Sequence, residues 1–138
     1  MIVNGVNLET VYGVIIQDGA FNQLWKLPTR KVGYAKNWND EHGLEIDPDE
    51  PVVYERLTYS LPMLIMANSE NEYWSRLHAF FQFILNLNVL TIDIPSRNRR
   101  FIVQHLGFSN YNDYVESHFS TFNWELGNDR PNEFLAIP

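Results

Sequence analysis

The chain has 138 residues, enough for one domain with a substantial core. Its net charge of −7 and pI near 4.9 argue against a surface that grips nucleic acid, which needs a basic footprint. It has no cysteine, which excludes disulfides, thiolate metal sites and a cysteine nucleophile.

In chain order, Met1–Leu8 lacks the basic and apolar regions of a signal peptide, and none is expected. Val3-Asn4-Gly5-Val6 reads as a turn, since Asn-Gly tolerates positive φ. Val11–Gln17 is β-branched and apolar and reads as a strand that Asp18-Gly19 ends. Phe21, Leu24, Trp25 and Leu27 form an apolar group cut off by Pro28. Lys31–Lys36 reads as a short strand. Asn37–Pro51 then carries six acidic residues, two prolines and a glycine, which is the composition of a functional or flexible loop.

Val52–Met66 reads as one long strand. Val53, Leu57, Tyr59, Leu61, Met63 and Ile65 share a face at period two, with Glu55 interrupting it. Pro62 lacks an N–H, so this strand is expected at an edge or bulged there. Ser69-Glu70-Asn71-Glu72 is a capping box at a helix start. Tyr73, Trp74, Leu77, Phe80, Phe81, Ile84 and Leu85 continue it as a wide apolar face at helical spacing, which predicts a helix over about 69–85 packed on a sheet. Val89–Ile94 and Arg99–Phe108 read as a hairpin around Pro95–Asn98. Asn110–Asp113 reads as a second turn and Tyr114–Leu126 as a further extended segment. No apolar run approaches the roughly 20 residues that span a bilayer. The expected architecture is α+β: a mainly antiparallel β-sandwich or open barrel with one packed helix. Residues 1–126 make the domain and 127–138 a loosely held tail, whose Phe134, Leu135 and Ile137 could dock on a neighbour.

Chemistry-bearing motifs are scarce. His42, His78, His105 and His118 lack the spacing of a zinc helix and read as structural or surface residues. Asn37, Asn39 and Glu41 alternate like the start of a calcium loop. The glycine falls one place late, at Gly43, and the twelfth position is Pro48, so no metal is expected. There is no Gly-x-Ser-x-Gly, P-loop or dinucleotide fingerprint, and neither catalytic residues nor a cofactor are expected. A carboxylate pair assembled in space, as in a hydrolase, is the reading that sequence does not remove. Arg97, Arg99 and Arg100 sit at a hairpin tip. Their sharper reading is an ion pairing with the acidic segment of a neighbouring subunit, through Asp40, Glu41, Asp47, Asp49 and Glu50. Trp25 and Trp38 flank the least regular region and read as satellite core or as contact anchors.

The order of features resembles a known family. An Asn-Gly turn is followed by Val11-Tyr12-Gly13-Val14-Ile15-Ile16-Gln17-Asp18-Gly19, then Pro28–Lys31, then Asn37-Trp38-Asn39-Asp40-Glu41-His42-Gly43. The segment 53–67 and a helix of the form Glu-x-x-Tyr-Trp-x-x-Leu-x-x-Phe-Phe complete it. Over about residues 2–125 this is similar to small tail proteins of long-tailed bacteriophages and prophages, of the tail-tube and distal-tail-protein superfamily. The resemblance implies a β-sandwich with one flanking helix. Six copies would form a ring around a DNA channel, with inner strands joined into a continuous barrel. It implies that the segment Lys26–Pro51 reaches a neighbouring subunit or ring, and it carries over no catalytic residue. Distal tail proteins often carry a second, carbohydrate-binding-like domain; 138 residues are too few for one, so a minimal version, a tube subunit or a tail-end protein of similar size is expected.

The expected function is therefore a virion structural protein, not an enzyme: a subunit of a distal-tail or tail-tube ring, assembled in the bacterial host cytoplasm. Its partners are copies of itself and other tail or baseplate proteins, with no specific nucleic-acid binding and no membrane. The rival is a monomeric ligand- or carbohydrate-binding β-sandwich that uses the aromatics around Trp25 and Trp38.

Overall fold

The computed structural model describes residues 1–138 except 34, 37, 38, 41, 44, 115 and 117, and except the side chains at 35, 36, 45 and 46. The elements in order are β1 (Ile2–Val3), β2 (Val6–Asn7), α1 (Leu8–Tyr12), β3 (Val14–Ile16), α2 (Ala20–Leu24), β4 (Ala35–Lys36) and β5 (Glu45–Ile46). Then follow β6 (Leu57–Met66), α3 (Glu70–Leu85), β7 (Val89–Ile94), β8 (Arg99–Tyr114) and β9 (Phe119–Asn128). Seven strands form one antiparallel sheet in the order β2-β1-β7-β8-β9-β6-β3; β4 and β5 pair separately. The fold is α+β and mostly β, as expected.

The core lies on one face of the sheet. Tyr59, Leu61, Met63 and Ile65 of β6 stand opposite Leu126, Trp124, Phe122 and Ser120 of β9, and all eight are buried. α3 covers this face. It starts where the Ser69 hydroxyl accepts the Glu72 N–H, and Glu72 reaches back to the Asn68 N–H. Phe80 sits at its centre, with ring centroids about 6 Å from Tyr12, Phe108, Phe122 and Trp124. Truncating so enclosed a ring to alanine typically costs about 3–5 kcal/mol. Trp74 and Leu85, placed on the apolar face by their spacing, are instead exposed.

Several boundaries differ from the sequence expectation. Val11 and Tyr12 do not begin a strand; they end α1. Asn7 caps that helix, its Oδ1 accepting from the Glu9 and Thr10 N–H groups, and Gly13 closes it at φ +67°. The chain enters β3 only at Val14. The long strand begins at Leu57, not Val52. Asn110–Asp113 is no turn but part of β8, where an irregularity between Ser109 and Asn112 lets the strand continue to Tyr114. β9 starts at Phe119 and runs to Asn128.

Segment 26–51 is more ordered in its pairing than a loop. Residues 29–31 run antiparallel to 53–55, through a bridge between Arg30 and Tyr54 and the bonds Lys31 N–H to Val53 and Glu55 N–H to Thr29. β4 then pairs with β5 further out. The result is a two-stranded arm with Val32, Val52 and Val53 exposed on it.

Pro62 explains itself. Its carbonyl accepts from the Gln17 N–H, so its backbone groups point away from β9, past the end of its pairing with β3. No ladder bond is lost there. This stretch of β6 is an edge, and α2 seals it. The Ser60 N–H donates to Gln23 Oε1, and Lys26 Nζ donates to the Thr58 carbonyl. Such plugging is one way a sheet avoids unwanted pairing.

Candidate functional site

Two features are candidates for function: the open margins of the sheet and a cleft beside α2.

β8 is the longest strand. It pairs with β7 only up to Gln104 and with β9 from Gln104 onward. Beyond Gln104 its β7 side has no strand partner among the described residues. Leu106, Tyr111 and Tyr114 along this stretch are exposed, as is Val89 at the start of β7. Tyr111 is tied inward. Its hydroxyl meets that of buried Tyr73 at 2.9 Å, and Tyr73 also donates to Asp113 at 3.0 Å. Burial holds the Tyr73 hydroxyl above the ordinary tyrosine range.

The second face of the sheet carries a polar cluster. Glu125 accepts from the hydroxyls of Ser60 at 2.9 Å and Ser109 at 2.6 Å. Arg56 lies across Gly127 on β9, bonded to Gln104 and paired with Asp129 at 3.0 Å.

The cleft has a volume of about 270 Å³. α2 and its exit, β6, the start of β8 and the C-terminal segment line it. Its apolar wall is Trp25, Leu27, Tyr59, Phe101, Phe134 and Leu135. Trp25 packs at 5.7 Å from Phe101, which meets Tyr59 at 6.2 Å. Phe21 backs Trp25 at 6.0 Å, with the Arg97 guanidinium over its ring at 5.7 Å. The tail closes one side because the Arg100 N–H donates to the Leu135 carbonyl. Burial raises the Tyr59 hydroxyl above its usual range, and Asn128 hydrogen-bonds it at 3.1 Å.

Of the residues singled out from sequence, Trp25, Arg99 and Arg100 meet at this cleft and Arg97 lies beside it. Arg100 turns its guanidinium away to Asp93, gripping both carboxylate oxygens at 2.7 and 2.8 Å. That grip holds the Asp93 carboxyl below the usual carboxylate range. Asp40, Asp47 and Asp49 are exposed on the arm. Asp47 shapes a local turn by accepting the Asp49 N–H. Glu50 lies with its carboxylate against Gly33. Trp38 and Glu41 fall outside the described residues. The tail segment reaches its own chain through Leu135, while Phe134 stays 70% exposed. Sequence reasoning missed Tyr59, Phe101 and Leu135 as cleft walls. Phe101 was signalled by its place two residues after Arg99; Leu135 was marked as an apolar residue of the tail, but for a neighbour and not for its own chain. Among the described residues no three His, Asp or Glu side chains converge as a metal site, and no helix is long and apolar enough to cross a membrane.

No protein-family model and no curated protein matches the sequence. A solved structure does match the fold: SPP1 Dit (gp 19.1), described as a paradigm of the hub adsorption apparatus in phages infecting Gram-positive bacteria. The two chains share a fold. The TM-score is 0.68 over 94% of this chain, at 10% sequence identity. This chain matches 49% of the SPP1 protein, so it spans about half that length.

Proposed function

We propose that this chain is a structural subunit of a bacteriophage or prophage tail, at the distal end or in the tube. Six copies form a ring around a DNA channel, in the virion, after assembly in the host cytoplasm. In this reading the chain is a building block and performs no chemistry. The observation that carries it is the fold likeness to SPP1 Dit, a hub protein, over nearly all of this chain.

Physical features support it. The unpaired margin of β8 after Gln104 offers backbone groups to a neighbour's strand, and a head-to-tail contact of that kind closes a ring. The two-stranded arm carries exposed valines and the acidic residues Asp40, Asp47, Asp49 and Glu50. It suits a grip on an adjacent subunit, with Arg97 as a charged contact that helps set register. The polar cluster on the second sheet face, with Ser60, Ser109, Thr121, Asn123 and Glu125, suits a channel wall that a polyanion passes without sticking. Other tail or baseplate proteins would stack above and below.

Molar mass by light scattering across a concentration series tests the reading. A species near six times 16.2 kDa, seen as rings by electron microscopy, is expected. Leu106→Lys, at an exposed position on the open margin, should lower the mass without lowering the melting temperature. A mass fixed at 16.2 kDa throughout, with no rings, sinks the proposal.

A further inference from the structure

We propose that the cleft beside Trp25 binds a small anionic amphiphile: an aromatic or aliphatic body carrying one carboxylate, sulfonate or phosphate group. The period of β8 places Arg99 and Phe101 on the same side of the strand, and both line the cleft with Trp25. The cations of the cleft differ in what they already hold. Lys26 gives one of its three N–H donors to the Thr58 carbonyl, and Arg100 is paired with Asp93. Among the described residues Arg99 has no hydrogen-bond or ion-pair partner, and it stands beside an apolar wall of Trp25, Phe101, Leu27 and Phe134.

A planar guanidinium next to aromatic rings is suited to one oxyanion whose remainder packs on the rings. The wall alone would take any apolar body; Arg99 selects the charged one. Glu133, also in the lining, forms a long ion pair with Arg130 at 3.9 Å. Its carboxylate disfavours a second negative charge on the ligand. The volume of about 270 Å³ is just under the usual range of about 300–1,000 Å³ for ligand pockets, which limits the ligand to a small one. With a net charge of −7 the protein as a whole repels anions, so binding must come from this local arrangement.

The proposal does not depend on the tail reading. The test uses two fluorescent probes of one shape, 8-anilinonaphthalene-1-sulfonate and the neutral N-phenyl-1-naphthylamine. The sulfonate should bind with one-to-one stoichiometry. Arg99→Gln should weaken it at least tenfold while leaving the neutral probe unchanged. Trp25→Ala should weaken both, with circular dichroism confirming that the variant folds. Equal affinity for the two probes in the unaltered protein, or indifference of the sulfonate to Arg99→Gln, overturns the proposal. So does loss of probe binding as rising protein concentration drives association. That result makes Trp25 and Arg99 a seat for a second copy of the chain.

Discussion

The indole Nε1–H of Trp124 donates to Nδ1 of His105 at 2.9 Å, joining two adjacent strands beneath α3. An accepting Nδ1 requires the neutral imidazole, with its proton on Nε2. Burial lowers the His105 pKa below its ordinary value of 6.5. The sign follows. As pH falls through about 6.5 the unfolded chain takes up this proton before the folded one, so stability drops until the folded value is passed. Urea unfolding at pH 7.5 and 5.5 should show this loss. His105→Gln, which keeps an acceptor and does not titrate, should show a smaller one. Identical pH slopes for the two proteins would remove His105 as the cause.

The Asp93–Arg100 grip predicts a different pH window. The carboxyl is held below its unfolded value near 3.8, so its stabilisation is full above that pH and fades as pH falls through the folded value. Asp93→Asn should therefore melt below the unaltered protein at pH 7, and the gap should narrow as pH falls below about 3.8. A gap of constant size down to pH 3 would mean that packing, not charge, sets the difference.

Gly13 and Gly5 make a matched pair. Both have positive φ, +67° and +84°. A Cβ at Gly5 meets nothing within 4 Å, whereas at Gly13 it would lie 2.6 Å from both the Met66 carbonyl and Arg76 Nη1. Arg76 is itself fixed by that carbonyl at 2.8 Å and by Glu72 at 2.7 Å. Gly5→Ala should cost about 1–2 kcal/mol, the left-handed backbone penalty alone. Gly13→Ala should cost clearly more by chemical denaturation, because backbone cannot yield as a side chain does.

Tyr73→Phe removes the hydroxyl that ties α3 to Tyr111 and Asp113. A loss of about 1–3 kcal/mol is expected, as for two part-buried hydrogen bonds. Hydrogen exchange should quicken at residues 110–114 and leave the centre of β6 unchanged. Uniform quickening would show that the bond supports the whole domain and not that end of β8.

The parts legible in the sequence are those whose cause is local and repeated. The capping box at Ser69 and the apolar period after it gave α3 almost to the residue, and strict alternation gave β6 from Leu57 onward. Two five-residue helices were illegible to periodicity, since neither completes two turns. Asn7, an amide two residues before Glu9, was the available sign of α1, and the β-branched run after it outweighed that sign. Val52 and Val53 continue the apolar pattern of β6 but belong to the arm, where pairing with 29–31 decides their conformation. The candidate site was half legible. Trp25 and the arginines stood out by type, but their meeting depends on Leu135 returning to Arg100, across 35 positions of chain.

One five-residue helix and its exit do two jobs. Gln23 and Lys26 close the free side of β6, and Trp25, between them in sequence, forms the wall of the cleft. Selection on cleft shape therefore cannot move this helix freely, because a shift that reshapes the wall would also uncover a raw strand. Variation in recognition should then accumulate on the opposite bank, at Phe134 and Glu133 of the C-terminal segment, where Phe134 is exposed.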